Sequence, residues 1–311
     1  MEYLILIVSL VGIVLGADWL VGGSVQIARR FKVSDFVIGA AIVGVGTSAP
    51  ELMVSLMGAV QGNSDVALGN VVGSNIFNVL GILGATAICF PIKIDKANLK
   101  FDIPLCIFLS VLLMLLAFNF FNGSVAVVGR IDGLILIGIF AWYMWRSFKG
   151  QKKQETKPEE IQAQTGSVWI AILKVVGGLA VLVTSCDFFV DNAIKIARSW
   201  NMSEAAISIT LIACGTSLPE LAASITAALK KNTEMALGNI IGSNIFNISL
   251  ILGICSQVCP LSSAGITVFD YCVMIAAAVL TLFLGLDGKI NRWEGLIMFT
   301  AFVGYSIYLL G

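Results

Sequence analysis

Long apolar runs, separated by short polar segments, recur along the whole chain. Most are close to the length of about 20 residues that an α-helix needs to cross a bilayer core. They lie near residues 3–28, 35–60, 65–88, 103–120, 129–146, 169–197, 204–230, 234–257, 270–285 and 292–310. The pattern predicts an all-α polytopic membrane protein with ten transmembrane helices.

The composition supports this assignment. Hydrophobic residues make up 58% of the chain and charged residues 12%, whereas a soluble domain carries about a quarter charged residues. The lipid bilayer is therefore the expected surrounding, and the net charge of zero gives no indication of a nucleic-acid partner. Histidine, the commonest metal ligand and acid–base group near neutral pH, is absent.

The chain contains one unit written twice. Residues 46–84 align without a gap to residues 215–253, and 22 of the 39 positions are identical at an offset of 169. Because each half holds five predicted spans, an odd number, the second copy must enter the membrane from the opposite face. We expect two inverted five-helix repeats, at residues 1–149 and 169–311, joined by a polar linker at 150–168.

Lysine and arginine predict the orientation, because cytoplasmic loops carry an excess of both. Most of the 19 basic residues lie in or beside the loops after the first, third, fifth, seventh and ninth spans. The opposite face holds only Arg130, Lys195 and Arg198. We expect a multi-pass protein of the cell membrane with a cytoplasmic linker and both termini outside.

Two spans carry the same interruption. The second contains Gly46-Thr47-Ser48-Ala49-Pro50-Glu51, and the seventh contains Gly215-Thr216-Ser217-Leu218-Pro219-Glu220. A proline inside a helix removes a hydrogen bond and crowds the carbonyl four residues back, which here is Gly46 or Gly215. We therefore expect a break near the middle of each span.

The glutamates lie just past these breaks, near the middle of the membrane. A charged residue there costs roughly 2.5–3.5 kcal/mol. The cost occurs twice in register, at Glu51 and Glu220, which indicates function. The alternative is a pair of protonated glutamates bonded to neighbouring helices.

Neutral polar residues accompany both glutamates. Thr47 and Ser48 lie on the face of Glu51, and Thr216 and Ser217 on the face of Glu220. The third and eighth spans add polar stripes with four-residue spacing, from which we predict the ligands Ser74, Asn78, Ser243 and Asn247. In isolation such stripes are more often helix–helix contacts. Within the stripes, Asn70 and Asn239 fit either a ligand or a helix–helix contact. Asn75 and Asn244 lie outside the stripes and are expected to bind other helices. The role of Asp18 and Asp187 stays open.

All of these candidate ligands offer oxygen. Calcium takes 6–8 oxygen ligands at about 2.3–2.6 Å, whereas softer metals call for histidine or thiolate. The sequence predicts a site for a hard cation that is carried as substrate, and no cofactor.

The paired GTS-x-PE and GN-x-x-GSNIFN segments resemble the two repeats of the calcium/cation antiporter superfamily, in its sodium/calcium exchanger family. This resemblance implies exchange of Ca²⁺ for Na⁺ by alternating access, with the first and sixth spans moving against the rest. It also implies that the cation is bound by Thr47, Ser48, Glu51, Ser74, Asn78, Thr216, Ser217, Glu220, Ser243 and Asn247. The asparagine at position 247, where some members have aspartate, leaves the coupling ion less defined.

Other functions remain as alternatives. The first is a proton-coupled Ca²⁺ or Mn²⁺ antiporter of the same fold, and the second is a cation channel. An enzyme is not expected, because the glutamates lie beside hydroxyls without a nucleophile and base pair. Stoichiometry, affinity and oligomeric state are not defined by the sequence.

Overall fold

Helices account for nearly all of the computed structural model, which describes residues 2–119, 124–125, 127–149, 167–200, 213–262 and 265–310. The first half contains α1 (Glu2–Phe31), α2 (Asp35–Thr47), α3 (Ala49–Val60), α4 (Ser64–Cys89), α5 (Asn98–Ala117) and α6 (Arg130–Lys149). The second half contains α7 (Val168–Ser199), α8 (Leu218–Leu229), α9 (Thr233–Val258), α10 (Val268–Asp287) and α11 (Arg292–Leu310).

These helices confirm the polytopic membrane fold. Within the described ranges, seven helices are long and apolar enough to cross a membrane, and the bent pair α2–α3 forms an eighth span. The two remaining predicted spans correspond to α8, a shorter apolar helix, and to α11, whose first turn carries Arg292 and Glu294. Residues 150–166 of the predicted linker and residues 204–212, the first part of the seventh predicted span, lie outside the described residues. The end of the predicted linker, Ser167 and Val168, instead caps and begins α7.

Short strands in the loops show the inversion of the two repeats. After α4, β1 (Ile92–Lys93) pairs with β6 (Lys289–Ile290), which lies between α10 and α11. The equivalent strand after α9, β5 (Leu261–Ser262), pairs with β4 (Val127–Val128), just before α6. Because α5 separates β1 from β4, the two strand pairs lie on opposite faces. Equivalent loops of the two halves therefore face opposite sides of the membrane.

A third strand pair, β2 (Phe118–Asn119) with β3 (Ser124–Val125), lies in the loop between α5 and α6.

Two helices, α4 and α9, form the interior. In the most apolar stretch of α4, 83% of the residues are buried, and in that of α9, 89% are buried. The corresponding share is 17% in α6 and in α7. Each interior helix begins at a capping asparagine, Asn63 or Asn232, whose side chain accepts from the backbone N–H three residues on. The polar residues that recur with the same spacing in both repeats thus lie on the two most buried of these helices.

Glycine contacts interlock the two halves. A β-carbon at Gly84 of α4 would lie 2.9 Å from the Gly295 carbonyl oxygen of α11, and one at Gly295 would lie 2.7 Å from the Gly84 carbonyl oxygen. The same contact recurs between α9 and α6, where a β-carbon at Gly253 would lie 3.0 Å from the Gly133 carbonyl oxygen. Helices can approach this closely only at small residues. Each interior helix is therefore packed against the last helix of the other repeat.

Candidate functional site

The predicted helix breaks are present, and each lies between the glycine and the proline of its motif. The helices α2 and α3 meet at Ser48 at an angle of 48°. Ser217 has almost the same backbone conformation before α8, with φ −93° and ψ 9° against −80° and 12° at Ser48. The proline two residues after each break cannot donate a helical hydrogen bond and crowds the carbonyl four residues back, but it fits the first turn of the next helix. Glu51 and Glu220 thus lie in a first helical turn, where the helix dipole stabilises negative charge.

Each glutamate is bound by the serine of the other repeat. The Ser217 hydroxyl donates to Glu51 Oε1 at 2.6 Å, and the Ser48 hydroxyl donates to Glu220 Oε1 at 2.7 Å. All four side chains are completely buried. The two carboxylates, far apart in sequence, therefore belong to one site that exists only when both repeats are assembled.

The predicted serines of the interior helices join the same cluster. Ser243 lies 3.0 Å from the Ser48 hydroxyl, and Ser74 lies 3.3 Å from the Ser217 hydroxyl. The Ser243 hydroxyl also donates to the Gly44 carbonyl oxygen at 3.3 Å, one turn before the break in the second span. Hydroxyls and a backbone carbonyl thus extend the oxygen-rich site around the carboxylates.

Asn70 and Asn239, whose role the sequence left open, hold the backbone of the glutamates. The Asn70 amide donates to the Glu51 carbonyl oxygen at 3.1 Å, and the Asn239 amide donates to the Glu220 carbonyl oxygen at 3.2 Å. Both also donate to a buried serine that lies four residues after the glutamate. These serines, Ser55 and Ser224, are not among the sequence predictions, although their identity in both repeats was a usable signal.

Two further predicted ligands, Asn78 and Asn247, lie at the start of irregular turns of the interior helices. A π-helical segment covers Phe77–Leu83 in α4, and another covers Asn247–Ile251 in α9. Such widened turns often occur at functional sites. Each amide donates across the repeat boundary, from Asn78 to the Asn244 side chain at 3.0 Å and from Asn247 to the Asn75 side chain at 3.2 Å.

Four buried carboxylate and amide oxygens of this cluster have no hydrogen-bond donor among the residues that the structure describes. They are the second carboxylate oxygen of each glutamate and the amide oxygen of each of these two asparagines: Glu51 Oε2, Glu220 Oε2, Asn78 Oδ1 and Asn247 Oδ1. Leaving a buried acceptor unpaired costs about 1–3 kcal/mol, and more when the group is charged. The same atoms are unpaired in both repeats, so the feature is systematic.

The two threonines differ in their surroundings. The Thr47 hydroxyl donates to the Asn239 side chain at 3.3 Å and to the Gly44 carbonyl oxygen at 3.4 Å. The Thr216 hydroxyl is also buried, and it lies close to the Glu51 carboxyl group. Asp18 lies apart from the cluster and forms an ion pair with Lys230 at 2.6 Å.

The chemistry of the cluster suits a hard cation. In the described part of the chain, no group of three or more His, Cys, Asp or Glu side chains could hold a metal ion. The site instead combines two carboxylates with neutral oxygens. Calcium binds such ligands in a large oxygen shell of flexible geometry. Acceptors without donors favour a cation over an anion or a neutral solute.

Comparison with known proteins gives one consistent family. A family model described as sodium/calcium exchanger protein matches residues 1–149 and 170–311. The putative antiporter CaxA of Alkalimonas amylolytica is 40% identical and the sodium/calcium exchanger MaX1 of Methanosarcina acetivorans is 33% identical, both over at least 97% of each chain.

A solved structure of the sodium–calcium exchanger NCX_Mj, soaked with zero Na⁺ and Ca²⁺, superimposes with a TM-score of 0.83 at 31% identity. That match covers 97% of this chain and 96% of the other. The inverted repeats, the buried oxygen cluster and these similarities lead to one conclusion: the chain belongs to the sodium/calcium exchanger family.

Proposed function

We propose that this protein exchanges Ca²⁺ for Na⁺ across the cell membrane by alternating access, and that the buried oxygen cluster is its transport site. The observation that carries the proposal is the set of four unpaired acceptors on Glu51, Glu220, Asn78 and Asn247. Bound cations would give these oxygens the partners that they lack. The proposed ligand set is completed by six hydroxyl residues: Thr47, Ser48, Ser74, Thr216, Ser217 and Ser243.

Charge balance supports antiport of these ions. Two carboxylates give the empty cluster a charge near −2, which one Ca²⁺ or two Na⁺ neutralise. Because a buried uncompensated charge is costly, the empty site is disfavoured and one ion leaves as the other enters. The same oxygens can coordinate both ions, so calcium and sodium compete for one site.

The cross-repeat bonds support a site that is exposed to one face at a time. Each carboxylate is held by a serine of the other repeat, so the two halves of the site form one unit against which other helices can move. The helices α1 and α7 are the elements that the family resemblance suggests as mobile. They contact each other through Gly16 and Gly178, where a β-carbon would lie 2.5–2.6 Å from backbone nitrogen of the partner helix. Such tight packing favours their movement as one body.

The names of the relatives also support this function. They are an antiporter and exchangers, so a transporter is favoured over an enzyme. For the orientation we propose a cytoplasmic linker and both termini outside, on the basis of the basic residues.

The decisive experiment is uptake of radioactive calcium into proteoliposomes. An outward sodium gradient should drive uptake, whereas a pH gradient of equal size without sodium should not. Uptake driven by the pH gradient and indifferent to sodium would establish the proton-coupled alternative.

Two variants locate the site in the same assay. Glu51→Gln and Glu220→Gln should each abolish exchange, because one carboxylate cannot neutralise a divalent ion in a buried site. Asp287→Asn makes the same chemical change at an exposed residue at the end of α10 and should exchange normally. Normal exchange in either glutamine variant would place the site elsewhere.

A further inference from the structure

Four asparagines form a hydrogen-bonded chain between the interior helices, in the order Asn247, Asn75, Asn244, Asn78. Asn75 and Asn244 occupy equivalent positions of α4 and α9, and each amide nitrogen donates to the other residue's backbone carbonyl oxygen, at 3.4 and 3.3 Å. Their side-chain oxygens accept from Asn247 and Asn78, at 3.2 and 3.0 Å. All four side chains are at most 2% exposed.

The backbone carbonyls determine the orientation of every amide in this chain of asparagines. A carbonyl oxygen only accepts hydrogen bonds, so the NH₂ group of Asn75 must face Asn244 and its oxygen must face the other way. A weak contact of the same nitrogen with the Met274 sulfur, at 4.0 Å, agrees with this orientation. The Asn75 oxygen can then accept only from an NH₂ group, which fixes the amide of Asn247. The symmetric argument fixes Asn78 through Asn244.

The orientation of the outer pair matters for a cation. Because its NH₂ group is bound to a central asparagine, each of Asn78 and Asn247 has its oxygen left over. That oxygen is the buried atom without a donor among the described residues. A reversed amide would place two N–H groups there, and these repel a cation. An asparagine ligand is useful only if something prevents this reversal.

We propose that Asn75 and Asn244 are positioning residues that orient the amides of Asn247 and Asn78, so that both repeats present oxygen to the transported ion. The proposal rests on the proposed function. It assigns a specific crossed dependence: the residue in α4 controls the ligand in α9, and the residue in α9 controls the ligand in α4.

Aspartate at the ligand position gives a direct test, because a carboxylate presents oxygen in either orientation. Asn75→Leu should raise the KM for calcium about tenfold, since the Asn247 amide loses the acceptor that orients it. In an Asn247→Asp background the same substitution should change the KM only slightly relative to Asn247→Asp alone. In an Asn78→Asp background it should keep its full effect, which provides the matched control. The mirror variant Asn244→Leu should be rescued by Asn78→Asp and not by Asn247→Asp.

The outcomes separate this proposal from a packing role and from the proposed function. Equal loss in all backgrounds, or no loss from Asn75→Leu, would overturn the positioning role. If Asn75→Leu is not monodisperse in detergent, Asn75→Ala removes the same acceptor with a smaller volume, and the mirror pair repeats the test. Failure of the transport function itself would be recognised separately, by normal calcium exchange in Glu51→Gln.

Discussion

Substitution of Gly238 by alanine should separate α9 from α2. A β-carbon at this position would lie 2.1 Å from the Phe36 carbonyl oxygen and 2.9 Å from its carbonyl carbon. Because these are backbone atoms, they cannot rotate away as a side chain does, and one helix has to move by about 1 Å in a close-packed interior. The equivalent residue in the other repeat, Gly69, has only the end of the Ile266 side chain nearby, at 4.0 Å.

The expected magnitude follows from two opposing effects. Overpacking costs about 1–3 kcal/mol, and backbone contacts place this case in the upper part of that range. Replacing glycine by alanine within a helix recovers about 1 kcal/mol. The net loss of roughly 1–2 kcal/mol corresponds to a fall in Tm of about 2–8 °C. Calcium flux should fall as well, because the next residue, Asn239, holds the Glu220 carbonyl.

The assay is thermal unfolding in detergent, followed by size-exclusion chromatography after heating. Gly69→Ala is the matched control, and it should leave the Tm unchanged or slightly higher, with normal flux. Equal shifts in the two variants, or a Gly238→Ala protein as stable as the parent, would refute the close contact between α9 and α2.

Three further predictions concern other parts of the molecule. Lys230→Gln breaks the ion pair with Asp18 of α1, in which the two side chains are 35% and 54% exposed. The substitution should lower the free energy of unfolding by no more than about 1 kcal/mol, and by less at high salt. A loss of Tm that does not depend on salt would contradict this. In a cysteine-free background, Lys289→Cys should react with an impermeant thiol reagent from the cytoplasm and Val127→Cys from outside; labelling from one common side would contradict the inversion. Ser74→Ala and Ser243→Ala should weaken sodium-driven calcium flux more than calcium–calcium exchange, because the hydroxyls are proposed neutral ligands for sodium; equal weakening would contradict that role.

Duplication made much of the candidate site accessible from the sequence alone. A buried glutamate beside a proline can be read in several ways, but the same motif at residues 46–51 and 215–220 requires one explanation for both. The four-residue spacing of Ser74 and Asn78 then indicated which face of α4 points inward. The structure brings these predicted residues into one hydrogen-bonded cluster.

Other features depend on three-dimensional contacts that no local pattern contains. The sequence could not show that Ser217 binds Glu51 and not the glutamate of its own repeat, because that pairing follows from the packing of inverted units. The π-helical segments that begin at Phe77 and Asn247 have no recognisable sequence pattern. Asn75 was predicted to bind another helix, but its partners required knowledge of the relative register of α4 and α9.

The glycine contact between α4 and α11 also constrains the order in which the protein can mature. Gly84 is synthesised about 200 residues before its partner Gly295, and chains elongate at about 5–20 residues per second. The face of α4 that contains Gly84 is therefore uncovered for at least about ten seconds after it emerges from the ribosome. During that interval the first five helices can insert into the bilayer, but they cannot adopt their final packing. Quality-control factors and lipids thus meet a half-built protein whose interior helix is still exposed.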